Sequence, residues 1–197
     1  EKGLVRTVAC SQSFDAVAAK AIVDYPGIIE IDNSLYANPA RKGCMLNRET
    51  FGILAALEVD IDFNVNILTG SNGEMMGGLG GGPDVAAGAQ ISIVVLPIVR
   101  GRIPSVVKKV FTCCTPGDTV AVVITEAGIA LNPNHKNYQE LKEDLEKTSL
   151  KLVTIEELRQ TAEGLTGTPK PIECTDKITC IVEYRDGTVL DVIREIK

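Results

Sequence analysis

The sequence predicts an α/β protein in which a mixed, largely parallel sheet is flanked by helices. Three observations carry that expectation. Ile91 to Leu96 is a continuous, β-branched run of the kind buried on both faces of a covered sheet. Leu4 to Cys10 followed by Ser13 to Asp24 reads as a strand-then-helix unit. The last third then turns to charged, amphipathic helical segments.

In chain order, Ser13 to Asp24 places Phe14, Val17, Ala18, Ala21 and Ile22 at helical spacing behind an N-cap candidate. Ile28 to Ile31 is a short strand after Pro26-Gly27, and the polar stretch Asp32 to Asn47 reads as a loop. Phe51 to Val59 and Asn64 to Leu68 flank the acidic Asp60-Ile61-Asp62-Phe63 and read as neighbouring strands. The densest glycine punctuation lies between Gly70 and Gly88, and Asp84 is placed to cap a short helix after Pro83.

Val106 to Thr112, Val120 to Thr125 and Ile129 to Leu131 add strands, with Thr115-Pro116-Gly117-Asp118 as a turn. Helices follow at about Tyr138 to Lys147 and behind the capping box of Thr154 with Glu157. Pro169 to Pro171 reads as a linker. Asp186-Gly187, between Thr179 to Tyr184 and Val189 to Ile193, reads as the turn of a C-terminal hairpin. The expected organisation is one α/β domain over 1–167, with 168–197 as linker and hairpin packing on it.

At 197 residues the chain suits one medium domain, and 45% hydrophobic with 23% charged residues is a globular composition. A net charge of -6 with no basic stripe disfavours a nucleic-acid binder. No apolar run reaches membrane-spanning length and no leader opens the chain, which reads as soluble and cytoplasmic. The six cysteines show no metal-ligand spacing and there is a single histidine, so no zinc site is expected; Cys113-Cys114 read as reduced core thiols. Glu58, Asp60 and Asp62 read as an acidic rim between strands, and His135 as a surface histidine in a polar turn.

The segment richest in chemistry joins Asn64-Val65-Asn66 to Thr69-Gly70-Ser71-Asn72-Gly73 and to Gly77 through Asp84. Glycines let backbone N–H groups approach a ligand closely, which suits a phosphate or the oxyanion formed at a thioester carbonyl. The spacing fits neither the lysine-containing phosphate loop nor the dinucleotide fingerprint. A plain surface turn is the alternative.

This loop sits within a longer order of motifs. Gln12-Ser13-Phe14-Asp15, Ile29-Glu30-Ile31, Tyr36-Ala37-Asn38-Pro39 and Ala56-Leu57-Glu58-Val59-Asp60 come first. Phe63-Asn64-Val65-Asn66, Leu68-Thr69-Gly70-Ser71, Val99-Arg100-Gly101-Arg102-Ile103-Pro104, Gly128 to Pro133 and Tyr184-Arg185-Asp186-Gly187 follow. In this order the chain resembles the C-terminal part of citrate lyase α subunits along its whole length.

The resemblance implies a fold of the NagB, ribose-phosphate-isomerase and CoA-transferase type, and a citrate CoA-transferase activity that exchanges acetyl for citryl on the acyl carrier protein. It implies as partners a β subunit that performs the lyase step, a γ acyl carrier and the rest of the α subunit, with citrate and acetate as small molecules. It implies no permanently bound cofactor. A CoA-like phosphoribosyl-dephospho-CoA group comes with the carrier, and acetyl-CoA can substitute for it.

On that basis Asn64, Asn66 and the backbone amides of Gly78, Gly80, Gly81 and Gly82 are the expected oxyanion donors. Arg100 and Arg102 are expected to pair with carboxylates or phosphates, with solvated surface arginines as the alternative. Glu30, Asn33, Tyr36 and Asn38 are expected on a substrate wall. The family pattern places a histidine in the glycine loop, where this chain has Gly78-Leu79-Gly80-Gly81-Gly82-Pro83-Asp84, so no side-chain acid or base is expected there. The alternatives are another acyl-CoA:carboxylate CoA-transferase, using a glutamate upstream, or a non-catalytic assembly and carrier-docking fragment.

Overall fold

A computed structural model describes residues 4–197, and the chain divides into two compact units, 1–48 and 49–197. The C-terminal strands belong to the second unit with the central sheet.

In the first unit β1 (Val8–Cys10) pairs in parallel with β2 (Ile28–Glu30) across α1 (Ala16–Asp24). This is the expected strand-then-helix unit. Asp15 is the N-cap of α1, its carboxylate accepting from the Ala18 N–H at 2.7 Å. The segment read as a loop from Asp32 to Asn47 instead contains α2 (Asn33–Ala37) and a 3-10 turn over Met45–Arg48. Asp32 caps α2 through the Leu35 N–H, and five residues are too few to produce an apolar stripe that a sequence would reveal.

The second unit is built on β3 (Phe51–Ala55), β4 (Glu58–Asp60), β5 (Val65–Asn66), α3 (Gly82–Gly88) and β6 (Ile91–Val95). The chain then passes through β7 (Val99–Arg100), β8 (Ile103–Pro104), β9 (Val106–Val107), β10 (Val122–Thr125) and β11 (Gly128–Leu131). It finishes with α4 (Tyr138–Glu146), β12 (Leu152–Val153), α5 (Ile155–Thr166), β13 (Cys174–Glu183) and β14 (Val189–Ile196).

The main sheet has the order β12-β11-β10-β6-β3, parallel except between β10 and β11. It is mixed and largely parallel. Beneath one face lie Val94, Val123 and Ala130, closed over by Leu158 and Ala162 of α5. The amphipathic spacing of α5, opened by the Thr154/Glu157 capping box, produces that contact. On the same face α3 comes so close to β3 that a Cβ on Gly52 would stand 2.6 Å from Val85 Cγ1. Only a glycine admits the helix there.

Beside this sheet, β5-β4-β9 forms a smaller one in which Glu58 faces Asn66 and Val59 faces Val106. β7 and β8 make a two-residue ribbon turned at Gly101, whose φ is 61°. β13 and β14 pair antiparallel, with Gly187 N–H donating to the Tyr184 carbonyl at the turn. Among the described residues no helix is long and apolar enough to cross a membrane.

Candidate functional site

The strand β4 and the turn after it carry an acidic segment that the fold draws inward. Glu58 and Asp60, expected on an acidic rim between strands, are only 3% and 2% exposed. Burying carboxylates costs free energy unless donors surround them, and here they do. Asp60 Oδ1 accepts the backbone N–H groups of Asp62 and Asn64, both at 3.0 Å, while Oδ2 accepts Asn64 Nδ2 at 3.2 Å and the Val110 N–H at 3.3 Å. Glu58 Oε2 accepts Asn66 Nδ2 at 3.0 Å. Burial raises both carboxyls above their ordinary values, against the opposing pull of these hydrogen bonds.

Asn66 is completely buried. Its Nδ2 also reaches the Thr69 carbonyl at 2.8 Å, and its Oδ1 accepts the Leu68 and Thr69 N–H groups, each at 3.1 Å. With both ends of the amide engaged internally, Asn66 braces the entry to the glycine segment and does not present a donor to a substrate. Asn64 is half-buried: its Oδ1 accepts the Gly117 N–H at 2.9 Å, and its side chain reaches a pocket wall. Gly117 lies so tight against this turn that a Cβ would stand 1.9 Å from the Asp62 carbonyl oxygen.

Glu58, Asp60 and Asn64 form one side of an open pocket of about 870 Å³ that also takes in Ser71, Lys108, Lys109 and Phe111. Glu163, at the end of α5, and the segment Thr168 to Ile172 close the other side. Arg159 and Thr168 hold Glu163 Oε2, while Oε1 is buried without a hydrogen-bond partner. Lys108, Lys109 and Lys170 line the cavity together with the carboxyl side chains of Glu58, Asp60, Asp62 and Glu163. Such a mixed lining offers both charged donors and acceptors to a polar ligand.

The remaining expected site residues of the second unit do not line this pocket. Gly78, Gly80 and Gly81 are exposed, Gly82 is half-buried at the start of α3, and none lines the pocket. Asp84 is not the cap of α3, which begins behind Gly81; it lies in the first turn and pairs with Arg185 Nε at 3.3 Å. Arg100 donates from Nη2 to the Ala56 carbonyl at 2.6 Å, so its fork is partly committed to the fold. Arg102 is exposed in the β7–β8 turn. Glu30, Asn33, Tyr36 and Asn38 all belong to the first unit, where Asn38 closes α2 through Ser34 Oγ and the Ala40 N–H.

His135 is not a surface histidine. It is 8% exposed, its Nδ1 accepts the Asn137 N–H at 3.2 Å, and burial lowers its pKa. Cys113 and Cys114 are free thiols; burial, helped by Asp191 and Asp60, pushes the Cys113 thiol up to about 12.

Residues 1–196 match the family described as citrate lyase, alpha subunit (CitF). The chain is 51% identical over its full length to the citrate lyase α chain of Klebsiella pneumoniae and 47% identical to that of Escherichia coli K12.

The chain belongs to the citrate lyase α-subunit family.

It spans 38% of the length of each of these relatives. A solved structure from Streptococcus mutans, assigned as the α subunit of citrate lyase in complex with citrate, superposes with a TM-score of 0.92 at 44% identity. That superposition covers 99% of this chain and 38% of the other. The α/β architecture, with its mixed sheets, is therefore close to that of a citrate lyase α structure.

Proposed function

We propose that this chain is part of an acyl-transfer subunit that exchanges acetyl for citryl on the thioester of an acyl carrier subunit, readying citrate for cleavage to acetate and oxaloacetate. The observation that carries the reading is the family match over residues 1–196. The parallel pairings of the main sheet are in keeping with a fold of the CoA-transferase and ribose-phosphate-isomerase type. The partners that follow are a β lyase subunit, a γ acyl carrier and the remainder of the α subunit, and the setting that follows is cytoplasmic.

The pocket has properties that this chemistry needs. When docked, the carrier's phosphoribosyl-dephospho-CoA group, or acetyl-CoA in its place, supplies the thioester. Lys108, Lys109 and Lys170 offer ammonium groups to carboxylates or phosphates, and about 870 Å³ lies within the range of small-ligand clefts. Glu58, raised by burial, holds a proton to higher pH than an exposed glutamate and can donate it in a hydrogen bond to a carboxylate oxygen. Phe111, Val110 and Ile172 give the walls apolar surface that limits water around a reactive acyl group. The backbone amides of the exposed Gly78, Gly80 and Gly81 and of the half-buried Gly82 remain our proposed oxyanion donors, acting from outside this cavity.

The test is to supply a full-length subunit carrying this sequence with acetyl-CoA and labelled citrate, and to measure acetate release and citryl thioester. Citrate-dependent release of acetate with formation of the labelled thioester is expected. Release driven by other carboxylates, with citrate inert, would assign it to general CoA transfer; CoA binding without turnover would make it a docking module.

A further inference from the structure

Between Gly77 and Gly82 the chain carries a single side chain, that of Leu79. Among the described residues no N–H of Gly78 to Gly82 donates to a protein acceptor, and a Cβ at Gly78 or Gly80 would meet nothing within 4 Å. Glycine loses more conformational freedom on ordering than any other residue. A segment of this kind therefore holds one shape only where something outside its own backbone fixes it.

The side chains available for this lead to the C-terminal hairpin. Leu79 packs against a buried cluster of Leu68, Cys114, Val182 of β13 and Ile193 of β14. Farther on, Asp84 Oδ1 is buried and accepts no hydrogen bond; the Arg185 guanidinium, its Nε 3.3 Å away, is the charge that compensates it. Arg185 stands in the hairpin turn, which the Tyr184 N–H closes by donating to the Thr188 carbonyl at 2.8 Å. Its side chain is 15% exposed and that of Asp84 24%, so water screens this pair less than an ion pair on the open surface.

The hairpin is itself fastened to its surroundings. Asp191 Oδ2 of β14 accepts the Cys113 N–H at 2.7 Å, and Ile196 Cδ1 lies so near Gly73 that a Cβ there would stand 2.7 Å from it. It thus meets the chain before the glycine segment at Gly73, within it at Leu79 and beyond it at Asp84. We infer that the C-terminal hairpin is the positioning element of the glycine segment, with Arg185 and Leu79 as the positioning residues that aim the Gly78 to Gly82 amides. Fixed donors stabilise a transition state because they need no reorganisation at the moment of reaction, and a segment released from Leu79 and Asp84 loses that advantage. The inference rests on the acyl-transfer reading for its kinetic consequence, and on these contacts alone for its geometry.

The test uses a full-length subunit carrying this sequence. Arg185→Gln should raise hydroxyl-radical oxidation of Leu79 several-fold while Cys114 stays closed to alkylation, which reports an intact core. In acetyl-for-citryl exchange its kcat should fall by on the order of tenfold with KM for citrate within about twofold, because the donors act on the transition state. Arg185→Lys, which returns a cation to Asp84, should recover most of that loss. Leu79→Ala leaves no charge unpaired and should lower kcat alike. Parental Leu79 oxidation in Arg185→Gln overturns the inference. So does an unchanged kcat with Leu79 released, or a kcat loss that comes only with Cys114 exposure, which would make the pair merely structural. A parent subunit inert toward acetyl-CoA and citrate removes the acyl-transfer reading instead, and the oxidation result then decides the inference by itself.

Discussion

Asn66 Nδ2 donates to Glu58 Oε2 at 3.0 Å across the antiparallel β4–β5 pair, and the same amide holds the backbone of Thr69 at the entrance to the glycine segment. One buried side chain thus ties a raised carboxyl, two strands and a loop together. Asn66→Ala leaves the Leu68 and Thr69 N–H groups and Glu58 Oε2 without their partner. The expected loss is about 1–3 kcal/mol for the first unsatisfied buried group, with further loss from the others. Urea unfolding of the variant checks it, and an unchanged midpoint would contradict it.

Stability should depend on pH through Glu58. Burial raises its folded-state value above 4.5, so the folded chain binds this proton more tightly than the unfolded one. Its stabilising contribution is complete below pH 4.5 and is lost as pH rises through the folded value. Asp60, raised from 3.8, behaves alike, whereas Glu156, drawn down to about 2 by Arg159 and Gln160, contributes above 4.5 and loses its contribution on acidification. Glu58→Gln should therefore flatten the decline of the urea midpoint above pH 4.5 relative to the parent. Parallel profiles would show that Glu58 is not its source.

The cysteines should differ sharply in reactivity. Thiolate is the nucleophile, and Cys113, pushed up to about 12, has almost none at pH 8, while Cys114 is fully buried. Cys180 is exposed on β13. Alkylation followed by peptide mass analysis should mark Cys180 early and leave Cys113 and Cys114 unmodified until the protein is denatured.

If the pocket holds anionic groups, its lysines should act on binding before they act on turnover. Lys108→Ala with Lys109→Ala, in the full-length subunit, should raise KM for citrate or acetyl-CoA by on the order of tenfold, the scale of one lost charge-assisted hydrogen bond. Both lysines are exposed, so the thermal midpoint should hold. An unchanged KM would remove the cavity from the substrate's path.

Local signals were legible from sequence wherever they were self-contained. The helix that became α1, the Thr154/Glu157 capping box and the β-branched run that became β6 need only neighbours a few residues away. Burial of charge was not legible. Glu58 and Asp60 look solvated in a string of letters, and they are buried because Asn66, Asn64 and the Val110 N–H converge on them from other positions in the chain. His135 misled for the same reason: Asn-Pro-Asn spells a turn, and nothing local says that the turn is covered. The pocket walls come from residues 58–64, 71, 107–111 and 163–172, so no spacing rule could have assembled them.

The contact at Gly117 has a consequence for how the family can vary. With a Cβ due 1.9 Å from a backbone oxygen, a saturation library at this position should return the parental letter alone. A differently shaped cavity is then reached through other lining residues, among them the exposed lysines at 108 and 109 and the 168–172 wall. The Asp62–Asn64 turn is a frozen coordinate of the mutational landscape.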